Sequence, residues 1–250
     1  MKRLTPDFRE KIWGATHLEP WFPNSDRKIG EVWFEKDSPL LVKFLFTSEK
    51  LSVQVHPPGK TEMWYVLSAE PGARIAAGFR EPVTRARLRD AALSGEVEDL
   101  LEWFDAAPGD TFFLPAGTVH AIGPGLTLCE IQQNSDITYR LYDYGRGREL
   151  HLEDALAVSH LGPHAARQQP HDGVLVSCEY FVTESVHLDD LAIQLPPLDR
   201  DQFLIVIEGH AQIGGHPMQA GEVWSLPASS SPVELGGIAQ VLRTFVPLPW

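Results

Sequence analysis

The most informative segment of the chain holds two predicted strands and the turn between them: Leu51-Ser52-Val53-Gln54-Val55-His56-Pro57-Pro58-Gly59-Lys60-Thr61-Glu62. Its first half alternates apolar and polar residues, which is typical of a strand with one buried face. Residues two apart in a strand point to the same side, so Ser52, Gln54 and His56 share a face. The Pro-Pro-Gly sequence predicts a turn. After it, Glu62 begins a second strand close enough to face the same cavity.

A second segment, further along the chain, completes a pattern. Gly109 is followed by five residues, then Pro115-Ala116-Gly117, two more residues and His120. This segment resembles the second motif of the cupin superfamily, G-x5-P-x-G-x2-H. The segment around Gln54 resembles the other cupin motif, with the glutamine in place of the first histidine of H-x-H.

The ligand set that this resemblance implies is Gln54, His56, Glu62 and His120. It comprises one amide oxygen, two imidazoles and one carboxylate, a mixed set that suits Zn²⁺ and tolerates Mn²⁺, Fe²⁺ or Co²⁺. A lone histidine on a strand is usually an ordinary structural or surface residue, and the other histidines, His151 among them, lack such a context. The four residues together predict one divalent ion per chain, with Zn²⁺ as the first choice.

The composition is that of a folded, acidic protein. Of the 250 residues, 43% are hydrophobic and 22% are charged, and the formal net charge is −13. Nucleic acid and anionic membranes are poor partners for such a surface, because their phosphates are bound by clustered Lys and Arg. Screening over about 8 Å leaves the binding of a small phosphorylated ligand to the local charges of a pocket. No signal peptide, membrane span or disulfide framework is predicted, which favours a cytoplasmic protein.

Short apolar runs between glycines and prolines predict many strands and few helices. Strands are expected at residues 31–34, 40–46, 51–56, 62–67, 111–114, 127–133 and 138–142. A helix is expected to open at Thr5-Pro6 and to end near Ile12, because Pro is common at the first helical position. Two helical stretches broken near Ser94-Gly95 are expected within residues 84–106, and another helix from Leu152 to Ser159.

A weak internal repeat predicts two barrels of similar design, since the segment from Val206 to Ala228 parallels that from Val66 to Ala116. We therefore predict an all-β-dominated fold, a double cupin of two jelly-roll barrels with a few short helices. The N-terminal barrel spans residues 1–160 and holds the metal site and the helical insertion. After a polar linker, a degenerate C-terminal barrel spans residues 173–250.

Within the cupins, six segments in the same order resemble type I mannose-6-phosphate isomerase in its short bacterial form. They are Lys11-Ile12-Trp13-Gly14, Ile29-Gly30-Glu31-Val32-Trp33, Leu51–Pro57, Gly59–Tyr65, Pro115–Ala121 and Glu130–Arg140. The match runs from about residue 11 to 160, and more loosely to the C-terminus. It implies a metal-dependent isomerase that interconverts mannose 6-phosphate and fructose 6-phosphate through a cis-enediol.

The resemblance also assigns a phosphate-binding side to the pocket. The family's residues for this role fall on Ser52, Lys60 and Arg140. Arg140 offers a rigid planar array of donors for phosphate or enediolate oxygens, whereas Lys60 offers a point charge.

Isomerisation moves a proton between C1 and C2, so a titratable group must carry that proton while the metal polarises the carbonyl. The family's pocket lysine falls on Lys43, and its acidic pocket residues fall on Glu130 and Asp136. These three residues and Arg140 are the catalytic candidates, and the sequence leaves open which of them transfers the proton.

Departures from the family pattern bear on the substrate pocket and on the second barrel. Only five residues separate His56 from Glu62, where the family usually has a longer loop, and the helical domain of the larger members is missing. In the second barrel, Gln202 aligns with Glu62 and Pro232 aligns with His120. That barrel is therefore not expected to bind metal in the same way.

Two other hypotheses remain open at this stage. A sugar-phosphate-binding cupin that has lost catalysis would act as a sensor or regulator, and its ligand would stabilise it without forming product. An Fe²⁺ dioxygenase is disfavoured by Gln54 in place of a histidine and by Lys60 near Glu62. The expected partner is a small phosphorylated sugar, and the expected assembly is a monomer or homodimer.

Overall fold

The computed structural model describes residues 1–34, 38–228 and 231–247. Short antiparallel strands dominate this part of the chain, which also holds three short helices. The strands are β1 (Lys2–Arg3), β2 (Asp7–Ala15), β3 (Ile29–Phe34), β4 (Leu40–Thr47), β5 (Val53–Val55), β6 (Glu62–Ala69), β7 (Arg74–Phe79), β8 (Leu101–Asp105), β9 (Thr111–Leu114), β10 (His120–Ile122), β11 (Leu126–Gln133), β12 (Tyr139–Tyr142), β13 (Arg167–Gln168), β14 (Val174–Ser177), β15 (Val182–Asp189), β16 (Ile193–Leu195), β17 (Gln202–Ile213), β18 (His216–Gln219), β19 (Val223–Leu226) and β20 (Val233–Phe245). The helices are α1 (Arg85–Ser94), α2 (Val97–Leu100) and α3 (Leu152–Val158). The predicted fold class is confirmed.

The N-terminal strands form two antiparallel sheets. One has seven strands in the order β13-β9-β6-β11-β4-β2-β3, and the other has five in the order β12-β5-β10-β7-β8. One apolar cluster joins them, in which Trp64 and Leu128 of the larger sheet meet Ile75 and Ile122 of the smaller sheet. Burial of apolar area stabilises by roughly 25 cal/mol per Å², so this shared cluster holds the two sheets together.

Helices cover the outer face of the five-stranded sheet. Leu88 of α1 and Leu156 of α3 belong to an apolar cluster that also contains Val53 and Val55 of β5. Neighbouring residues of a strand point to opposite faces. Gln54 therefore faces the inside of the barrel, as the alternation predicts, because its two valine neighbours face the helices.

The C-terminal strands form an eight-stranded sheet in the order β1-β19-β17-β20-β15-β14, with β16 paired to β20 and β18 paired to β17. Phe203 and Leu242 of this sheet share an apolar cluster with Phe44 and Met63 of the seven-stranded sheet. Two short strands cross the expected boundaries. β1 pairs with β19, and β13, inside the expected linker, pairs with β9. The division at residues 160 and 173 stays a prediction.

The predicted helix from Thr5-Pro6 to Ile12 is wrong, because residues 7–15 form β2. This strand pairs antiparallel with β3, so that Arg9 lies opposite Glu31. A proline at a helix start is only a local preference, and it is overridden here by pairing with a strand that follows about twenty residues later.

The helical insertion is partly as predicted. Gly95 separates α1 from α2 and has a φ of 88°, the left-handed conformation that glycine adopts readily after a helix. Residues 101–105 were expected to be helical and instead form β8, because they pair with β7. The helix expected at 152–159 is α3. Within the described ranges, no helix has both the length and the apolar character needed to cross a membrane.

Candidate metal centre

Strand pairing and the packing of the two sheets bring three of the four predicted ligands together: His56, Glu62 and His120. His120 of β10 lies directly opposite Gln54 of β5, and His56 follows that strand. Glu62 opens β6 on the facing sheet. Its Oε2 lies 3.3 Å from Nε2 of His56, and its Oε1 lies 3.6 Å from Nε2 of His120. These three side chains are buried and form a cluster of possible metal ligands.

The cluster consists of lone pairs that face one another. Nδ1 of His56 is 3.1 Å from the carbonyl of Ile137, and Nδ1 of His120 is 2.8 Å from the carbonyl of Thr118. A carbonyl oxygen only accepts, so both Nδ1 atoms donate, and each neutral ring presents the lone pair of Nε2. Both oxygens of Glu62 are buried and lack a hydrogen-bond donor among the residues described.

Charge states follow from this burial. Burial lowers the pKa of His56 to about 4 and also lowers the pKa of His120, so both rings are neutral near pH 7. Burial alone would raise the pKa of Glu62, but in acid the protonated forms of the two histidines, together with Lys60, outweigh burial and lower that pKa, so the carboxylate is ionised wherever the rings are neutral. Two neutral imidazoles and a carboxylate without donors are the arrangement that a divalent cation satisfies, so these residues fit a metal ion.

Gln54 touches the cluster through its amide. Its Nε2 lies 3.2 Å from Nε2 of His120, and its Oε1 accepts from Oγ of Ser52 at 3.1 Å. The two ends of an amide are assigned from hydrogen bonding rather than from shape. Rotation of the amide by 180° would turn its oxygen to the cluster and its nitrogen to the hydroxyl of Ser52, the orientation that metal ligation requires.

A polar cavity of about 560 Å³ lies beside the cluster. Most of the residues predicted from the sequence line it: Lys43, Ser52, Gln54, His56, Lys60, Glu130, Asp136 and Arg140. The two remaining ones, Glu62 and His120, are buried within the cluster. The structure thus brings all ten predicted site residues to one place.

Lys43 and Glu130 form a buried ion pair on the cavity wall. The Nζ atom of Lys43 donates to Oε1 of Glu130 at 2.8 Å and to Oε1 of Gln132 at 2.5 Å. The other oxygen of Glu130 accepts from the indole of Trp64 at 2.8 Å. Burial would lower the pKa of Lys43, but attraction to Glu130 and Glu31 outweighs it and raises that pKa. Lys43 is therefore held as a cation, and both oxygens of Glu130 are engaged.

Lys60 and Arg140 are the cations of the cavity that form no ion pair with a described residue. Lys60 is buried, its one hydrogen bond is to Oγ1 of Thr138 at 3.3 Å, and within the described ranges no carboxylate forms an ion pair with it. Burial and repulsion by Lys43 lower its pKa. Arg140 donates to the carbonyl of Glu149 at 3.3 Å and likewise lacks an ion pair with any described residue. A buried ammonium group without a counter-ion favours the binding of an anion.

Several cavity residues were not predicted to have a role. Arg9, Lys11 and Trp13 project from β2 into the cavity, and Glu31 accepts from the indole of Trp33 at 3.0 Å beside them. The spacing of the first three, two residues apart, is the strand signal that would have found them. It was missed because that segment was expected to be a helix.

His151 was interpreted as an ordinary residue, yet it also lines the cavity, with Arg148 and Glu149. The backbone N–H of Arg140 donates to Nδ1 of His151 at 3.3 Å. The local sequence around these residues contains no motif that marks them, because the loop that carries them reaches the cavity only through tertiary contacts.

The fold and the site together define a class, a double cupin with a candidate His-His-Glu metal centre under a polar cavity. No protein-family model matches the chain. Mannose-6-phosphate isomerase ManA of Bacillus subtilis (strain 168) is 32% identical to it over 306 aligned residues, covering 95% of this chain and 96% of the relative. The chain belongs to the mannose-6-phosphate isomerase family, as predicted.

Solved structures agree with this assignment. The crystal structure of the mannose 6-phosphate isomerase from Bacillus subtilis superposes with a TM-score of 0.87 at 26% identity, covering 98% of this chain and 99% of that one. A zinc-bound mannose 6-phosphate isomerase superposes with a TM-score of 0.80 at 16% identity, covering 98% and 99% of the two chains, which shows a shared fold. The ManA alignment has more positions than this chain has residues, so that relative carries segments absent here.

Proposed function

We propose that this protein is a metal-dependent aldose–ketose isomerase that interconverts mannose 6-phosphate and fructose 6-phosphate through a cis-enediol. One observation carries the proposal. The buried cluster of His56, Glu62 and His120 borders a cavity in which Lys60 and Arg140 form no ion pair with a described residue. The relatives' names support the same activity, and they favour it over the hypothesis of an inactive sugar-phosphate sensor.

The proposed cofactor is one Zn²⁺ per chain, held by Gln54, His56, Glu62 and His120. When bound, the ion would polarise the substrate carbonyl and stabilise negative charge on its oxygen. The carbonyls of Ile137 and Thr118 fix both imidazoles in the tautomer that ligation needs.

The phosphate of the substrate is proposed to bind at Lys60 and Arg140, with Ser52 nearby. A phosphate dianion would supply the counter-charge that the buried ammonium group of Lys60 lacks. The guanidinium of Arg140 can donate two parallel hydrogen bonds to phosphate oxygens or to the oxygens of the enediolate.

Lys43, Glu130 and Asp136 are the remaining candidates for proton transfer. Lys43, held as a cation, can donate to a substrate oxygen but cannot act as a base near pH 7. Each oxygen of Glu130 accepts one hydrogen bond, from Lys43 or from Trp64, and keeps a second lone pair with which it can take a proton. Asp136 is exposed and lines the cavity without such engagement. Glu130→Gln and Asp136→Asn variants, compared by kcat, identify which carboxylate carries the proton.

A direct assay tests the activity. Purified protein with added Zn²⁺ is given mannose 6-phosphate, and fructose 6-phosphate is measured by a coupled reaction, with His120→Ala as the control. Turnover well above that control is expected, as is incorporation of solvent deuterium at the transferred position. Turnover equal to the control would overturn the isomerase proposal.

Location and assembly are proposed from the sequence: a cytoplasmic protein, monomer or homodimer, with no nucleic-acid or membrane partner. The formal net charge of −13 supports the last point. Light scattering of the purified protein measures the assembly directly.

A further inference from the structure

A loop that we call the strap, residues 143–151, joins β12 to α3 and forms part of the cavity wall. Three of its residues, Arg148, Glu149 and His151, line the cavity. The backbone N–H of His151 donates to the carbonyl of Arg140 at 2.9 Å, and Nη1 of Arg146 donates to the carbonyl of Lys50 at 2.8 Å. The strap is thereby fixed to β12 at one point and to the chain just before β5 at another.

A buried carboxylate in the strap holds Arg148 in position. Oδ2 of Asp143 accepts from Nε of Arg148 at 2.7 Å, and Oδ1 accepts from Nη2 of Arg148 at 2.5 Å and from Nη2 of Arg146 at 2.7 Å. Burial would raise the pKa of Asp143, but the hydrogen bonds from Arg148 and Arg146 outweigh it and lower that pKa. Two guanidinium groups share one carboxylate, so the cluster carries a net positive charge.

The two hydrogen bonds from Arg148 to Asp143 leave one nitrogen of the guanidinium group available for another acceptor. Nε and Nη2 face Asp143, and Nη1 has no hydrogen-bond partner within the described part of the chain. A guanidinium group is planar and rigid, so Nη1 is directed away from Asp143. The side chain of Arg148 is 29% exposed and lines the same cavity as Arg140, which itself donates to the strap at the carbonyl of Glu149.

We propose that Arg148 is a further substrate-binding residue, whose Nη1 donates to the phosphate of the sugar phosphate beside Lys60 and Arg140. Asp143 is its positioning residue. The identity of the ligand rests on the proposed function. Because Asp143 already fixes the guanidinium, Arg148 loses little side-chain freedom on binding, and a preorganised donor contributes more to affinity than a mobile one.

A matched pair of variants tests this inference. Arg148→Gln and Arg146→Gln each remove one positive charge and one partner of Asp143, but Arg146 does not line the cavity. Arg148→Gln is expected to raise the KM for mannose 6-phosphate by about tenfold, the loss of one charge-assisted hydrogen bond, with little change in kcat. Arg146→Gln is expected to leave KM unchanged. Equal KM values for the two variants would overturn the proposal.

Phosphate binding gives a second measurement that does not depend on turnover. The affinity of the metal-loaded protein for inorganic phosphate, measured by calorimetry, is expected to fall about tenfold in Arg148→Gln and to be unchanged in Arg146→Gln. If the wild type fails to isomerise mannose 6-phosphate, this comparison still decides the role of Arg148. Thermal unfolding checks that both variants are folded.

Asp143→Asn is expected to raise KM less than Arg148→Gln while leaving kcat unchanged, because it loosens Arg148 without removing it.

Discussion

Oε2 of Glu62 lies 3.3 Å from Nε2 of His56, and the hydrogen bond that would ordinarily join such atoms is missing. The reason is the tautomer of the ring, since Nδ1 of His56 donates to the carbonyl of Ile137 and leaves a lone pair on Nε2. A lone pair and a carboxylate oxygen repel each other at this distance unless a cation or a proton lies between them. The contact between Glu62 and His56 is therefore stable only when a metal ion or a proton lies between the two atoms.

Replacing Glu62 by Gln is expected to have opposite effects on metal binding and on the metal-free fold. The amide nitrogen can donate to Nε2 of His56, so the metal-free variant should be more stable than the metal-free wild type by about 1 kcal/mol. The variant should also lose stoichiometric zinc, measured by elemental analysis after dialysis. Urea denaturation of the metal-free proteins checks the first effect, with Glu81→Gln at an exposed position as the charge-matched control. A less stable metal-free Glu62→Gln would contradict the account of the cluster.

Acidification should destabilise the metal-free protein well above the pH at which carboxylates titrate. The pKa of His56 is lowered to about 4 in the fold, against about 6.5 in the unfolded chain. Between these values the unfolded state binds the extra proton, so stability falls as the pH falls, by roughly 3 kcal/mol over this window. His120, whose pKa is also lowered, adds in the same direction.

Urea denaturation of the chelated protein at pH 7, 6 and 5 measures this slope. A His56→Asn variant should show a shallower slope, whereas His171→Asn, at an exposed position, should retain the wild-type slope. A wild-type stability that is flat across this window would show that His56 is not held neutral by burial.

The ion pair of Lys43 and Glu130 should reveal itself as coupling between two substitutions. Lys43→Met leaves the buried carboxylate of Glu130 without its cation and is expected to cost about 3 kcal/mol of stability. Adding Glu130→Gln removes that charge and keeps an acceptor for the indole of Trp64, so the double variant should be more stable than Lys43→Met alone. Chemical denaturation of the four proteins gives the coupling energy. Additive effects would show that the 2.8 Å contact contributes nothing specific.

Lys60 should limit stability while it supports binding. Its ammonium group is buried without a described counter-ion, so Lys60→Met is expected to stabilise the ligand-free protein by about 1 kcal/mol. The same change should weaken the binding of inorganic phosphate to the metal-loaded protein by tenfold or more. Thermal unfolding and calorimetry measure the two effects, with Lys2→Met at an exposed site as the control. A variant that binds phosphate as tightly as the wild type would remove Lys60 from the phosphate site.

Residue alternation was enough to predict the face that carries the site. The period of two in residues 51–56 places Gln54 away from Val53 and Val55 whatever the rest of the chain does, because it follows from strand geometry alone. The high strand content, the two helices on either side of Gly95 and the helix α3 were also predicted from local sequence patterns. The family was predicted from six short motifs and is shown by the relative at 32% identity.

Local patterns do not predict contacts between segments that are distant in the sequence. Residues 7–15 follow the helix-start signal Thr5-Pro6, and only pairing with β3 makes them a strand that lines the cavity with Arg9 and Lys11. Tertiary packing likewise decides two sets of hydrogen bonds: those from Lys43 and Trp64 to Glu130, and those from Arg148 to Asp143. A side chain's direction is a local property of the backbone, but its partner and charge state follow from which segments the whole core buries together.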